Sequence, residues 1–186
     1  MKLKIFPPFL LICFLTIVLF ANLEALSYNC FNAVDFSIYL QTIYEITIGH
    51  FNPYITVRAL RFFTDHFDPI IFLPALFLKI FGVKAITLMI FEWLTIVSAI
   101  VFSFFILLKK FPIWIATLLT SLIILNKLVL IALRFPVHPS TWTVLPVMML
   151  GYFLIKNKFW GVFLISFLLI TVKESYPFAM FALSFY

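Results

Sequence analysis

The run IIFLPALFLKIFGV, residues 70–83, decides how this chain is threaded. It is apolar enough to enter a bilayer. At 1.5 Å per residue, however, a helix over it rises only ~21 Å, against a hydrocarbon core ~30 Å thick. Pro74 lies inside the run and shortens its straight part further. The run is therefore read as a juxtamembrane or re-entrant helix that leaves and returns on the outer side. Asp68-Pro69 in front of it is a good helix start, a capping acid followed by proline at the first helical position. That reading assigns Asp68 to capping rather than to chemistry.

Composition sets the class around this run. Of 186 residues, 65% are hydrophobic and only 11% charged, and the mean hydropathy is +1.20. An ordinary soluble domain carries roughly 25% charged residues. The chain is read as an all-α, polytopic membrane protein, a single membrane domain over residues 1–186. Its formal charge of +6 reflects lysines placed beside membrane segments. The partners expected are thus membrane lipids and not nucleic acid. The sequence contains no glycine-rich phosphate loop, CxxC or HExxH. Cys13 lies inside the first apolar run and Cys30 beyond it, so a disulfide would have to cross much of a leaflet. Nothing argues for a structural zinc site.

Upstream of the deciding run stands AVDFSIYLQTIYEITIGHFNPYITVRALRFFTDHFDP, residues 33–69, a polar interval in an otherwise apolar chain. Asp35, Glu45, His50, Asp65 and His66 fall within a few turns of one another, with Asp68 close behind. The interval is read as one wall of an extracytoplasmic active or binding site. Asp35 opens a helix in which Phe36, Tyr39, Leu40, Ile43 and Ile46 recur at helical spacing, while Ser37, Gln41 and Glu45 form a polar stripe. Gly49 suits the residue just past the helix end, and Pro53 discourages continuation. Such a helix can lie in the membrane interface. An N-cap role for Asp35 and a functional one are both open and are compatible.

The first span is placed at residues 5–22, behind Lys2 and Lys4, with an outer loop from 23 to 84. Its apolar run exceeds the ~7–15 residues of a signal-peptide core, so it is read as an uncleaved anchor. Ala25-Leu26-Ser27 keeps a cleavage site as the rival reading. Further spans are placed at 85–108, 111–133, 140–155 and 159–172, about five in all, with Lys127 able to snorkel and Pro146 kinking its helix. If 70–83 does not cross, Lys2, Lys4, Lys109, Lys110, Lys156 and Lys158 all lie inside, as the positive-inside rule asks. Asp35, Asp65, His66, His138, Lys173 and Glu174 then share the outer face. The reading is a multi-pass protein of a prokaryotic cytoplasmic membrane. Residues 177–186 begin another apolar run and stop inside it, which reads as a truncated member of something longer.

D-F-S-I-Y-L-Q at 35–41, T-D-H-F-D-P at 64–69, F-P-V-H-P at 135–139 and V-K-E-S at 172–175 occur in order. Together they resemble the membrane proteins grouped as domain of unknown function 2079. That family's pattern has glycine where Thr64 stands, an unbroken Phe-His-Pro where Val137 intervenes, and Asp where Ser175 stands. The family is in turn similar to the GT-C class of membrane glycosyltransferases, which carry juxtamembrane helices and an acid in the first outer loop. The resemblance implies a polyprenyl-phosphate-linked sugar donor, used at the extracytoplasmic face. It implies Asp35 as general base, with Asp65 and His66 beside it. Arg58, Arg61, Arg134 and Lys173 become the outer-face cations for the leaving phosphate, and His138 and Glu174 further contacts. No metal is assigned; a divalent ion held by Asp35, Asp65 and a histidine ranks below the metal-free version.

Each residue also has a plainer reading. Lys173-Glu174 can anchor a helix end, His138-Pro139 can be turn chemistry before Ser140 caps a helix, and Arg58 and Arg61 can bind lipid head groups. Glu92, an intramembrane acid, is functional by default unless a backbone or glutamine partner makes it a packing feature. Two function classes stay open on the sequence: a glycosyltransferase-like enzyme, and a non-enzymatic transporter or scaffold.

The threading has a direct test. A phosphatase reporter that is active only outside the cytoplasm should be silent when fused after Lys110 and active when fused after His138. The reverse at either site would overturn the one-face arrangement.

Overall fold

The computed structural model describes residues 6–27, 33–65, 67–127, 137–173 and 177. Among the described residues, the regular structure is helical apart from one short hairpin. Helix α1 (Phe6–Ser27) is followed by α2 (Ala33–Thr47), the strands β1 (Tyr54–Ile55) and β2 (Leu60–Arg61), and a single turn of helix, α3 (Phe62–Asp65). A 3₁₀ turn (Pro69–Ile71) leads into α4 (Phe72–Phe81). Then come α5 (Ala85–Leu108), α6 (Ile113–Ile124), α7 (Pro139–Trp142), α8 (Val144–Ile155) and α9 (Phe159–Ile170).

Local chemistry sets most boundaries. Helix α2 ends in a Schellman arrangement: His50 N–H reaches Glu45 C=O at 2.9 Å and Gly49 N–H reaches Ile46 C=O at 3.0 Å. Gly49 sits at φ 101°, where a Cβ would be strained. Pro74 falls in the first turn of α4, where no amide donor is required, so it does not break that helix. Pro146 acts as expected. It offers no N–H to Trp142 C=O, and the helix is interrupted at Thr143 between α7 and α8. Helices α8 and α9 pack as a tight antiparallel pair, and a Cβ on Gly161 would meet the Phe153 ring at 2.6 Å. The hairpin was not evident in the sequence. It pairs Tyr54 with Arg61 and Ile55 with Leu60, and Ala59 adopts φ 55° in its turn.

Among the described residues, two apolar clusters hold the molecule together. The larger contains Tyr39, Ile43, Ile55, Phe62, Ile70, Ile71, Leu78, Leu88, Phe91, Val137, Trp142 and Val172. It therefore takes residues from both ends of α4, since Val83 and Ala85 also pack against it. Helix α4 has 10 residues and rises about 15 Å, and residues flanking both of its ends pack against this core. The smaller core joins α1, α5 and α6 through Leu15, Ile96, Ile100 and Ile124, and Trp93 Nε1–H donates to Leu15 C=O at 3.1 Å across α1 and α5.

Helix α5 has 24 residues and matches the expected 85–108 segment; among the described residues it alone is long and apolar enough to cross a membrane. Helices α6, α8 and α9 have 12 residues each and rise about 18 Å. Residues 128–136, which include the end of the expected 111–133 span, lie outside the described residues, as do Cys30 and most of 177–186.

Glu92 is 6% exposed within α5, and its carboxylate accepts the Val137 backbone N–H at 2.5 Å. The Thr141 hydroxyl and the His138 amide lie beside the same carboxylate. Val137 is fully buried and adopts φ 66°, a region a β-branched residue rarely enters. It is the residue that interrupts Phe-His-Pro, and the Glu92 carboxylate holds it there. Replacing Glu92 by leucine should leave that buried amide without a partner and lower stability by about 1–3 kcal/mol. Glu92→Gln keeps an acceptor oxygen and should lose less than about 1 kcal/mol. Thermal unfolding in detergent checks both; equal losses would mean the amide bond contributes nothing.

Candidate functional site

The site is built on the first turns of α2. Asp35 lies two residues inside the helix, half-buried, rather than at its N-cap. A carboxylate in the first turn still favours the helix dipole. One turn further on the same face is Tyr39, 7% exposed. Its hydroxyl donates to Asp68 Oδ2 at 3.3 Å. Tyr39 rests edge-on against Phe62 and Trp142, at ring-centre distances of 6.0 Å and 6.5 Å, and Trp142 continues to Phe91 at 5.6 Å.

Asp68 corrects the sequence reading. It occupies the N-cap position before Pro69, but its side chain makes no capping bond. Its backbone C=O accepts Ile71 N–H at 3.0 Å, while its carboxylate, in a residue 1% exposed, turns inward to Tyr39. Burial pushes the Tyr39 phenol well above the usual tyrosine range. The negative charge of Asp68, its hydrogen bond with the phenol and the charge of Asp35 push the same way, and Arg58 opposes them. Asp35, Tyr39, Arg58 and Asp68 therefore lie within electrostatic reach of one another.

Arg58, in the hairpin turn, forms an ion pair with Asp65 of α3 at 3.2 Å. Arg61 points elsewhere, donating to Asn52 C=O at 3.2 Å, while Asn52 Oδ1 accepts Phe63 N–H at 3.1 Å. Those bonds shape the loop. Gln41 of the D-F-S-I-Y-L-Q motif is also a tie: its amide nitrogen donates to Tyr54 C=O at 3.3 Å and its oxygen accepts from the Thr56 hydroxyl at 3.0 Å. Glu45 and His50 pair with each other at 2.5 Å at the far end of α2.

The later motifs arrive at the same core from other elements. His138 is itself the N-cap of α7, with Pro139 at the first helical position, so Ser140 is not the cap. His138 Nδ1 accepts Ser140 N–H at 3.3 Å and lies 2.8 Å from Ser140 Oγ, which puts the proton of a neutral ring on Nε2. Past α9, Thr171 C=O accepts Ile70 N–H at 2.8 Å. That bond lays the end of α9 against the turn that follows Asp68, buries Val172 and brings Lys173, half-buried, to the same region. His66, Arg134 and Glu174 lie outside the described residues. Among the described residues no three His, Cys, Asp or Glu side chains gather as a metal-binding group.

The structure thus adds Tyr39 and Asp68 to the cluster and draws Arg61 away from it. Tyr39 was legible only as an apolar position at helical spacing; its distance of four residues from Asp35 was the available signal. The fold and the cluster define a helical membrane protein with a titratable polar group at one end of its bundle. The chain belongs to the predicted membrane protein family DUF2079, whose model matches residues 25–186. No curated protein and no solved structure matches it.

Tyr39 offers a pH test. A raised phenol pKa means the folded state keeps the neutral form; this contribution is fully present below the usual tyrosine value of about 10 and is lost as pH rises through the folded value. Tyr39→Phe should lower stability at pH 7 by about 1–3 kcal/mol, through the lost hydrogen bond to buried Asp68. It should also flatten the fall in stability above about pH 10. An unchanged alkaline profile would show that Tyr39 is not the group responsible.

Proposed function

We propose that this protein is a glycosyltransferase-like membrane enzyme that draws on a polyprenyl-phosphate-linked sugar at the extracytoplasmic face. The observation carrying this reading is the cluster itself: a half-buried carboxylate, Asp35, shares a helix face with a buried tyrosine that feels Asp35, Asp68 and Arg58 together. Asp35 takes the proton of an acceptor hydroxyl as its oxygen bonds to the anomeric carbon. The bond from that carbon to the lipid phosphate breaks, and the departing phosphate carries the electron pair. Arg58 and Lys173 offset that growing charge, with Arg61 and Arg134 as the further cations of this reading. Asp65 orients Arg58 through their ion pair. His66, His138 and Glu174 are the further substrate contacts of this reading.

The non-enzymatic reading, a transporter or scaffold, would lean on an acid inside the membrane. Glu92 is occupied by the Val137 amide. The crevice beside it, lined by Asn22 and Trp93, measures ≈ 20 Å³, room for about one water and not a solute path.

Asp35→Asn preserves size. A positioned general base supplies roughly 10²- to 10⁴-fold in rate. The variant should insert and bind a lipid-phosphate analogue normally, yet transfer sugar from a polyprenyl-phosphate hexose at least about a hundredfold more slowly. Near-normal transfer by a well-inserted Asp35→Asn protein would leave Asp35 with a helix-stabilising role alone. A parent protein with no transfer from any polyprenyl-phosphate sugar would favour the non-enzymatic class.

A further inference from the structure

At the other end of α5, about 27 Å from Phe91, lies a cavity that the proposed chemistry does not use. It opens between α5, α6 and α8, with a volume of ≈ 370 Å³, within the roughly 300–1,000 Å³ of small-molecule sites. Its walls are apolar, contributed by Ile106, Ile123 and Met148 among others, and its rim carries Lys109, Lys110 and Lys156. We propose that this cavity holds the phosphate head of an anionic membrane phospholipid, its acyl chains lying along the apolar wall.

Three observations support this. The first is uncompensated charge. The sequence has no Asp or Glu from residue 93 to residue 173, and neither ion pair between described residues involves a rim lysine. Lys109 Nζ instead lies 5.6 Å from the centre of the Tyr152 ring, a contact that holds the ammonium at the cavity mouth. The second is depth. Trp114 and Trp160, at 62% and 72% exposure, stand beside the two lysine-bearing turns. Exposed tryptophans next to lysines mark the level of lipid head groups, and basic pockets between helices at that level suit anionic lipid heads. The third is shape: an apolar cleft under a cationic rim matches an amphiphile, whereas a free phosphate would use only the rim.

Native mass spectrometry of the full chain, released from mixed phosphatidylglycerol and phosphatidylcholine micelles, tests the proposal. Phosphatidylglycerol should be retained at least tenfold over phosphatidylcholine. The triple variant Lys109→Gln, Lys110→Gln, Lys156→Gln should lose that preference, and the matched Lys→Arg triple should keep it. A control with the same charge change at exposed positions elsewhere, Lys79→Gln, Lys84→Gln, Lys127→Gln, should also keep it. Gly151 lines the cavity, and a Cβ there would meet nothing within 4 Å. Gly151→Leu should therefore fold normally and displace the lipid without altering charge. Equal retention of the two lipids, loss in the control as large as in the rim triple, or retention in Gly151→Leu would overturn the proposal. Full displacement by millimolar inorganic phosphate would overturn it too, by showing an anion site with no lipid component.

Discussion

The arrangement depends on one buried polar contact, the Glu92 carboxylate on the Val137 amide. In an apolar surrounding an unpaired backbone N–H has nothing else to bind, so the pair is more constraining than it would be at a surface. It joins the middle helix of the bundle to the segment that leads into α7. Through that segment it sets Trp142 against Tyr39 and Phe91. The left-handed backbone of Val137 persists because the carboxylate and the core around it over-determine it. An acid in a membrane helix invites a functional reading; here its first role is to anchor a loop.

A second backbone contact, Ile70 N–H to Thr171 C=O, closes the same end from the opposite side. Between these two ties the four motif-bearing segments meet on one core, although up to 137 positions separate Asp35 from Val172 in sequence. Packing alone would hold them loosely, since lipid is as apolar as leucine and provides little drive for helices to associate. The hydrogen bonds and the ring contacts of Tyr39, Phe62, Trp142 and Phe91 fix their relative placement.

The two ends of the molecule differ in chemical character. One gathers acids, arginine and a buried phenol around irregular backbone. The other carries lysines, exposed aromatics and tight helical turns. Asn157, at φ 51°, ends α8 much as Gly49 ends α2.

The sequence by itself determined the helical membrane class, the position of α5, the short apolar helix α4, the stop at Gly49 and the interruption before Pro146. These depend on local rise, periodicity and backbone covalent geometry, which a chain carries whatever it packs against. It also marked Asp35, Asp65, His138 and Lys173 as members of one end. It misjudged Asp68 as a cap and Ser140 rather than His138 as the start of α7, and it did not show the 54–61 hairpin or the bond from Arg61 to the Asn52 carbonyl. In each case the side chain had two partners in reach and only the folded surroundings chose between them. Asp68 could cap its own turn or accept from Tyr39, 29 positions away in sequence; Arg61 could face the acids or the Asn52 carbonyl. Whether Glu92 would act in chemistry or bind an amide was equally undecided until Val137 was placed beside it. Such choices depend on which groups lose water together, and that is decided only by tertiary contact.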